Sequence, residues 1–485
     1  MSDKPKNHWL ILIVLALAQF MVVLDSSIVN VALPAIARAF HMGQTNLQWV
    51  VTAYTLAFGG FLLLGGRAAD LYGRKKLFMI GTAVFGLASL IDGLAPTGGI
   101  LVGLRAAQGL AAALMSPAAL SIVLVTYREG HERNTALSVW GAVASGGAAA
   151  GVLFGGIITE YLGWRWNFLV NVPISIMVFL AASRILPAHE SEEKHNDLDL
   201  PGAISITAAL MMLVYGLVKA PTHGWTAPSS LSYFAVSIAL FAFFIWNERR
   251  SDHPLVPFDI FRNRNVTAAN LTQLPITAGM LAVFFFTSLY LQTILGYSSV
   301  KTGFSFLIIP FMIGLSATQA PRLIKRMGYK PVLMVAPLIV ATGLFWLAHI
   351  PVQGSYLHNI LPGFVLMGLG MGATFVSLTI AATSGVVGRE SGLASGLLNT
   401  SQQIGGALGL AILTGLATSQ ATKYLHQVSH PSKLTPLAAQ VHGFQGAYYL
   451  AAGFMVLAAI TAALLIKQQK VTAKDVEVAM ASAGA

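Results

Sequence analysis

The chain has 485 residues, of which 55% are hydrophobic and 10% are charged, and its formal net charge is +11. So few charged residues would leave a soluble globule of this size with too little polar surface, which excludes a large soluble domain. The basic residues lie in short loops and form no contiguous face, so we expect no nucleic-acid partner. The absence of cysteine excludes disulfides, thiolate metal sites and cysteine nucleophiles.

Fourteen apolar segments, most of them about 18 to 25 residues long, follow one another along the chain, and that length lets a helix cross the hydrocarbon core of a bilayer. Backbone amides inside a bilayer must bond within their own segment or within a closed barrel, so these segments indicate spanning helices. The sequence therefore predicts an all-α membrane protein. The predicted spans are 9–33, 47–66, 77–95, 99–124, 134–158, 167–187, 201–218, 229–246, 266–295, 303–321, 331–349, 360–382, 395–417 and 446–466.

The basic residues are concentrated in alternate loops between these spans. If the N-terminus is cytoplasmic, about 22 of the 29 Lys and Arg residues lie on the cytoplasmic side and about 6 on the other. By the positive-inside rule, both termini are predicted to be cytoplasmic.

Two charged stretches, from His189 to Asp199 and from Glu248 to Arg264, bracket the seventh and eighth spans. They divide the chain into six helices, an inserted hairpin of two helices and six more helices. The predicted units are a first six-helix bundle (1–187), linkers and hairpin (188–265), a second six-helix bundle (266–467) and a cytoplasmic tail (468–485). We expect the hairpin to pack at the periphery.

A short repeat supports this division. Gly73, Arg74 and Lys75 follow the second span, and a similar glycine-containing loop from Gly328 to Lys330 follows the tenth. Both loops come after the second helix of a six-helix unit, as expected for a duplicated transporter fold.

Asp25 and Arg105 are the ionisable residues that lie deepest in the predicted spans. At 1.5 Å per residue, Asp25 lies about 12 Å from the outer end of the first helix, and Arg105 lies about 9 Å inside the fourth. Because a charge inside a bilayer costs roughly 3 kcal/mol or more, we expect the two to pair. A proton on Asp25 would weaken that pair and bias the conformation, while the alternative is a purely structural pair.

Other polar residues in the spans are weaker candidates. Asp92 comes about three residues before the end of the third span, where we expect it to lie at the interface with water. In the second half of the chain we place no acidic residue in a span. The uncharged groups there offer hydrogen bonds either to neighbouring helices or to a substrate; they are Gln273, Gln292, Asn399, Gln402 and Gln403.

Glycines at helical spacing mark the fifth span at Gly147, Gly151, Gly155 and Gly156. Such rows of small residues let helix backbones approach closely, so we expect tight packing there rather than ligand contact.

Five segments together resemble the major facilitator superfamily, and within it the fourteen-span drug:proton antiporter family. Segment 66–76 (GRAADLYGRKK) is similar to the first cytoplasmic motif of the superfamily. Segments 24–34 (LDSSIVNVALP) and 105–109 (RAAQG) resemble the first-helix and fourth-helix motifs of its drug exporters. Two further segments resemble the sixth and thirteenth helices of the fourteen-span branch, namely 164–173 (WRWNFLVNVP) and 392–409 (GLASGLLNTSQQIGGALG).

The resemblance implies two six-helix bundles with an inserted hairpin, and proton-driven export of amphipathic compounds by alternating access. Asp25 would bind the proton with Arg105 as its partner, and the loop with Gly66, Asp70, Gly73 and Arg74 would latch the two halves. The row from Gly147 to Gly156 would be the antiporter motif. The candidate substrate-lining residues are Gln108, Tyr290, Gln292, Asn399 and Gln403.

Two departures from the family pattern affect these expectations. Gly151 is followed by Val152 instead of proline, which removes the bend associated with blocking proton leak. No extra acidic groups stand in the tenth or thirteenth helix, so we expect monovalent cationic or neutral substrates.

The alternatives from the same fold are a proton-coupled metabolite importer and a lipid transporter. No nucleophile elbow, nucleotide loop or metal-ligand spacing is present in the sequence, so we predict a transporter and not an enzyme, with the proton as coupling ion and no cofactor or metal. We expect a monomer in the cell membrane, in contact with lipids and with small amphipathic substrates.

Overall fold

The computed structural model describes residues 8–127, 131–186, 198–384, 386, 389–429 and 432–469. Within them, fourteen helices are long and apolar enough to cross a membrane, which confirms the predicted number of spans. Their bounds are α1 His8–Phe40, α2 Gln44–Tyr72, α3 Arg74–Gly93, α4 Gly98–Thr126, α5 Thr135–Tyr161, α6 Trp166–Ile185, α7 Leu200–Ala220, α8 Pro228–Arg250, α9 Arg264–Ile294, α10 Ser299–Met327, α11 Tyr329–Leu347, α12 Tyr356–Thr383, α13 Gly392–Gln427 and α14 Thr435–Leu465.

Several helices extend beyond the segments that hydropathy indicated. Helix α1 continues through Pro34 to Phe40, α13 continues to Gln427, and α14 already begins at Thr435. A hydropathy window ends where polar residues begin, whereas a helix keeps its backbone hydrogen bonds beyond that point. The boundary predicted at 187 and the tail residues 470–485 lie outside the described residues.

The helices form two halves with the same internal packing. In the first half α1 packs on α5, α2 and α3 pack on α4, and α6 packs on α1 and α3. In the second half the same contacts recur eight helices later: α9 packs on α13, α10 and α11 pack on α12, and α14 packs on α9 and α11. The recurrence shows that each half is one copy of a six-helix unit.

The two halves meet through matching pairs of helices. Helix α2 packs on α13, and its counterpart α10 packs on α5, so the two lateral contacts are related by the same repeat. Helices α1 and α9 touch along the middle of the molecule.

The inserted hairpin α7–α8 does not lie only at the periphery. Helix α7 packs on both α2 and α13, and its Leu210 and Val214 share an apolar cluster with Leu56 and Ala407. Helix α8 packs mainly on α7 and leaves large apolar side chains such as Ile238 exposed. The hairpin therefore covers one lateral seam between the halves, and only α8 follows the prediction.

Because the number of spans is even, the start of α1 and the end of α14 lie on the same face of the bundle, which we call the terminal face. The opposite face is the distal face. On the terminal face, the turns after α2 and α10 both use a glycine with positive φ, Gly73 at 97° and Gly328 at 84°. Each turn is tied to the last helix of its own half, since Lys75 Nζ donates to the Leu186 carbonyl (2.7 Å) and Tyr329 Oη to the Lys467 carbonyl (2.7 Å). The predicted repeat is thus visible in both backbone and contacts.

Candidate functional site

A buried ion pair joins α1 and α4 near the centre of the first half. Arg105 Nη1 donates to Asp25 Oδ2 at 2.5 Å, and the two residues are 1% and 0% exposed. The depths read from the sequence are therefore consistent with the contact that the structure shows. A charge-assisted bond of this kind is strong, because little solvent competes for either partner.

Two amides complete the surroundings of the carboxylate. Asn171, at the bend in α6, donates to Asp25 Oδ1 at 2.8 Å, and Gln108 donates to the same oxygen at 3.4 Å. Gln108 also accepts from Arg105 at 2.6 Å and donates to Ser89 Oγ on α3 at 2.7 Å. Residues of α4 and α6 thus bond directly to the carboxyl group on α1, and α3 joins the network through Ser89.

The guanidinium of Arg105 is held from the side of α2. Its Nε donates to the Val50 carbonyl at 3.0 Å, and its central carbon lies 4.3 Å from the centre of the Tyr54 ring. Helices α2 and α4 approach this closely because residue 109 is glycine: a Cβ there would stand 2.3 Å from the Tyr54 carbonyl oxygen. The cation is therefore enclosed by a carboxylate, a carbonyl and an aromatic face.

A cavity of about 1820 Å³ lies between the halves and reaches the pair. Arg105 and Tyr54 line its inner end, and Asp70 together with residues 252–255 lines it near the terminal face. Among the residues that the structure describes, those of the second half that line the cavity, from Thr277 to Gly406, are uncharged. The cavity is thus a largely apolar space whose ionisable lining groups belong to the first half and to the linker before α9.

The distal ends of the halves are closed against each other. Gln292 Nε2 donates to the Val31 carbonyl at 2.9 Å, and the Ser299 amide donates to Glu160 Oε2 at 2.9 Å. A Cβ on Gly156 would stand 2.4 Å from the Ser299 carbonyl oxygen, so this glycine permits the close contact between α5 and α10. The cavity therefore extends towards the terminal face and is shut at the distal face.

The remaining glycines of the predicted α5 row face α1. A Cβ on Gly151 would lie 2.6 Å from Ser27 Cβ, and one on Gly155 would lie 2.8 Å from the Ile28 carbonyl oxygen. Gly147 lies against α1 as well, at 3.2 Å from the Phe20 carbonyl oxygen by the same measure. The row is a packing surface in this structure.

The four predicted latch residues lie together at the terminal ends of α2 and α3. Arg74 Nη2 donates to Asp70 Oδ1 at 3.2 Å across the positive-φ turn at Gly73, and Gly66 and Asp70 line the cavity. The arginine and aspartate side chains are 30% and 41% exposed, so the pair is accessible to solvent.

The five candidate substrate-lining residues divide into two groups. Asn399 and Gln403 on α13 line the cavity. Gln108 belongs to the buried pair, Tyr290 Oη donates to the Pro351 carbonyl at 2.6 Å, and Gln292 closes the distal face. These three residues do not line the cavity. The sequence could not show this, because residue spacing does not give the rotation of a helix relative to its neighbours.

Two features of the site were not obtained from the sequence. Tyr54 carries no charge or motif that would mark it, although its ring covers Arg105. Asp92 was expected at the water interface, but it is 0% exposed and neither carboxyl oxygen has a hydrogen-bond partner among the described residues. Its three-residue spacing from Ser89 on one helix was the signal that could have placed it on the buried face.

Comparison with known proteins agrees with this architecture. Residues 15–410 match the family model described as Major Facilitator Superfamily. The chain is 38% identical to "Puromycin resistance protein pur8" of Streptomyces alboniger, covering 97% of this chain and 93% of that protein. It is 39% identical to "Cephamycin export protein CmcT" of Amycolatopsis lactamdurans, covering 86% and 87%. The crystal structure of the POT family transporter PepTSo is similar in fold, with a TM-score of 0.67 at 16% identity over 96% of this chain and 98% of that one.

Proposed function

We propose that this chain, which belongs to the Major Facilitator Superfamily, exports amphipathic drugs in exchange for protons. That it is a multi-pass membrane transporter follows from its family and its fourteen candidate spans. Relatives named for puromycin resistance and cephamycin export support drug export as the transport reaction. Proton coupling, substrate charge and orientation are the parts that we propose.

The observation that carries proton coupling is the buried Asp25–Arg105 pair, whose arginine lines the inner end of the cavity. A proton on Asp25 would remove the negative charge and leave Arg105 buried without its anion, which is costly in low dielectric. The protonated state therefore favours an arrangement in which Arg105 finds another partner or solvent. Proton uptake and release at one group can in this way bias the two halves towards different arrangements.

The lining of the cavity supports a preference for monovalent cationic or neutral compounds. The second half contributes apolar side chains such as Phe284 and Met280, together with the amides of Asn399 and Gln403. A dication would have to give up water around two charges, and the described lining residues of that half include no acidic side chain to replace it. An amphipathic compound with one charge or none loses less hydration on entering.

The closed distal face and the accessible terminal face correspond to an inward-facing state if both termini are cytoplasmic, as the distribution of Lys and Arg predicts. In the outward-facing state Asp70 would approach the N-terminus of α13, whose partial positive charge attracts a carboxylate. The loop from Gly66 to Arg74 is thereby proposed as the latch. We place the transporter in the cell membrane and propose that one chain is the working unit.

Transport by purified protein in proteoliposomes tests the proposal. An imposed ΔpH should drive movement of ethidium, and Asp25→Asn should lower that rate at least about tenfold, because the proton-binding group is lost. Asp259→Asn is the matched control, since Asp259 is an exposed acid paired with Arg262 on the surface. Full ΔpH-driven transport by Asp25→Asn would refute the role of Asp25 in proton coupling. Ethidium movement only towards the terminal face would indicate import instead of export.

A dye pair tests the substrate class separately. Cells that lack their own pumps and express the protein should clear monovalent ethidium faster than divalent propidium, which has a related ring system. Faster clearance of propidium would refute the preference for singly charged or neutral compounds. A susceptibility panel with puromycin, lincomycin and a cephamycin would then report on the antibiotics that the transporter removes.

A further inference from the structure

Asp92 is a buried carboxyl group that the proposed mechanism has not used. It lies in the last turn of α3, one residue before the helix ends at Gly93, and it is 0% exposed. Neither of its oxygens has a hydrogen-bond partner among the described residues. Such an acid in a spanning segment calls for a reason, because burying it without partners is unfavourable.

The position of Asp92 favours its uncharged form in this structure. A carboxylate removed from water without donors is strongly disfavoured. The C-terminal end of a helix also carries a partial negative charge, which repels a second negative charge placed there. The nearby guanidinium of Arg165 donates instead to the carbonyl oxygens of Gly93 (3.3 Å) and Ala95 (2.9 Å). Burial, the lack of donors and the helix end all favour the protonated carboxylic acid over the carboxylate at this position.

The ion pair of the first half lies at the same level of the helical bundle as this acid. Ser89 on α3 and Gln108 on α4 are in direct contact, and the two helices run in opposite directions. Asp92, one turn after Ser89, and Arg105, one turn before Gln108, therefore lie at the same level. Ser89, one helical turn earlier on α3, accepts a hydrogen bond from Gln108, which also bonds to Asp25. The distal end of α3 thus faces the pair from the side opposite to the cavity.

The other groups around the pair do not replace Asp92 as an anion. Tyr54 on α2 presents its ring to Arg105, and Asn171 on α6 presents a neutral amide to Asp25. Arg165, ahead of α6, is a cation engaged with backbone carbonyls. Among the described residues within the helices of the first half, Asp25 and Asp92 are the buried acids.

We propose that Asp92 is a second proton-binding carboxyl group of the coupling cluster, and that it becomes the anion facing Arg105 when Asp25 is protonated. The proposal rests on the proton coupling proposed above. It gives Arg105 a second partner, so that the arginine is not left as an unpaired buried cation during the cycle.

The exchange conserves charge and protons. On this proposal the arrangement seen here corresponds to one carboxylate (Asp25), one carboxylic acid (Asp92) and one guanidinium (Arg105), with a net charge of zero. In the alternative state the O–H bond of Asp92 is broken and an O–H bond is formed on Asp25, while Arg105 keeps its charge and faces Asp92. Two coupled carboxyl groups then share one proton, and a second proton produces a cluster with one positive charge.

Infrared spectroscopy of the purified protein in lipid tests this assignment without any substrate. Protonated carboxylic acids have a C=O stretching band that carboxylates lack. At neutral pH, Asp92→Asn should remove one component of this band from the wild-type spectrum, whereas Asp259→Asn should not. An unchanged band in a folded Asp92→Asn protein would overturn the proposal.

The Asp25→Asn background separates a proton-exchanging acid from a merely structural one. Because the substituted side chain is a neutral amide and cannot supply an anion, Asp92 should give up its proton to balance Arg105. The Asp92 component should therefore already be absent at neutral pH in Asp25→Asn and should reappear on acidification. A component that stays unchanged from wild type to Asp25→Asn would show that Asp92 is only a buried neutral group. This arm remains decisive if Asp92→Asn does not fold.

Transport distinguishes failure of this inference from failure of the proposed function. In ΔpH-driven ethidium transport, Asp92→Asn should lower the rate about tenfold and shift its pH profile, and Asp92→Glu should restore most of it. If wild type responds to ΔpH, Asp25→Asn does not, and Asp92→Asn behaves as wild type, only the role of Asp92 is refuted. If wild type itself shows no response to ΔpH, proton coupling fails whatever the infrared result.

Discussion

The two halves of the transporter share their helix packing but differ in what they bury. Among the described residues within the spans of the first half, Asp25, Asp92 and Arg105 are buried and ionisable. The spans of the second half bury Asn, Gln, Ser and Thr side chains, and none of their described buried residues is charged. Duplication has thus preserved the scaffold, while among the described residues one copy carries the buried acidic and basic side chains.

The comparison separates two kinds of requirement. Helix packing depends on small residues at contact points, which both copies retain. The proposed proton coupling depends on a few charged groups in low dielectric, and one copy is enough to supply them. We therefore expect charge substitutions to act through the first half, and packing substitutions to act equally in both.

The largest effect is expected from Arg105→Gln, which leaves Asp25 as a buried acid without its cation. Removing one partner of a buried pair typically costs about 3–5 kcal/mol, so the variant should unfold at a lower temperature and lose export. Thermal unfolding of the purified protein in detergent measures the first effect. The double variant Asp25→Asn/Arg105→Gln should recover most of the stability but no export. If the double variant is as unstable as the single one, the pair is not the source of the loss.

A smaller loss of stability, of the same size in both halves, is expected from the matched substitutions Gly109→Ala and Gly372→Ala. A Cβ at either position would stand 2.3 Å from a carbonyl oxygen of the neighbouring helix, on Tyr54 and Ile313 respectively. Overpacking of this kind costs about 1–3 kcal/mol, again read from thermal unfolding. Gly103→Ala is the control, since nothing lies within 4 Å of its Cβ. A loss confined to one half would contradict the shared scaffold.

A further, smaller effect is expected at the closed distal face. Gln292→Leu removes the hydrogen bond to the Val31 carbonyl between the halves, worth about 1 kcal/mol, and should raise the population of the state that is open at the distal face. Because the chain has no cysteine, spin labels at Tyr161→Cys and Leu357→Cys can report the distance across this face.

Gln445→Leu is the control for the distal face, because Gln445 Nε2 donates to the Ile350 carbonyl within the second half at 2.8 Å. In the Gln445→Leu variant, the distance between the two spin labels should match the distance in the labelled protein without this substitution. Equal shifts for Gln292→Leu and Gln445→Leu would show that the bond between the halves has no special role in closure.

The smallest effect on stability is expected from Gln273→Met in the second half, and it should be neutral or stabilising where the other substitutions are destabilising. Gln273 is 1% exposed, and neither polar atom of its side chain has a partner among the described residues. Replacing an unsatisfied buried amide by an apolar side chain of similar length should be neutral or stabilising by up to about 1 kcal/mol. A loss of stability or export would instead show that this amide serves the transport cycle.

The sequence located the ion pair but not its surroundings. Depth along α1 and α4 is a matter of counting residues, which is why the expected level of Asp25 and Arg105 agrees with their contact. Which neighbours surround them depends on the rotation of each helix, and counting does not provide it. Gln108 therefore was expected in the cavity and lies in the pair, and Asp92 was expected in water and is buried.

The hairpin shows the same limit. Charged linkers on both sides marked the α7–α8 hairpin as an insertion, but they did not indicate which helices it packs against. Leu210 and Val214 of α7 cover the seam between α2 and α13. This placement depends on the apolar surface that the two six-helix units leave uncovered. That surface exists only once the two units have packed together, so the sequence does not reveal it.

The amino-acid sequence by itself determined the helical class, the fourteen spans and the division into six, two and six. It did so because a bilayer imposes a fixed thickness and requires every backbone amide to bond within its own segment. Tertiary structure alone decided the neighbours of each side chain, the face at which the cavity lies open, and the burial of Asp92. These features arise from contacts between helices far apart in the chain, whose rotation and tilt are set by side-chain packing.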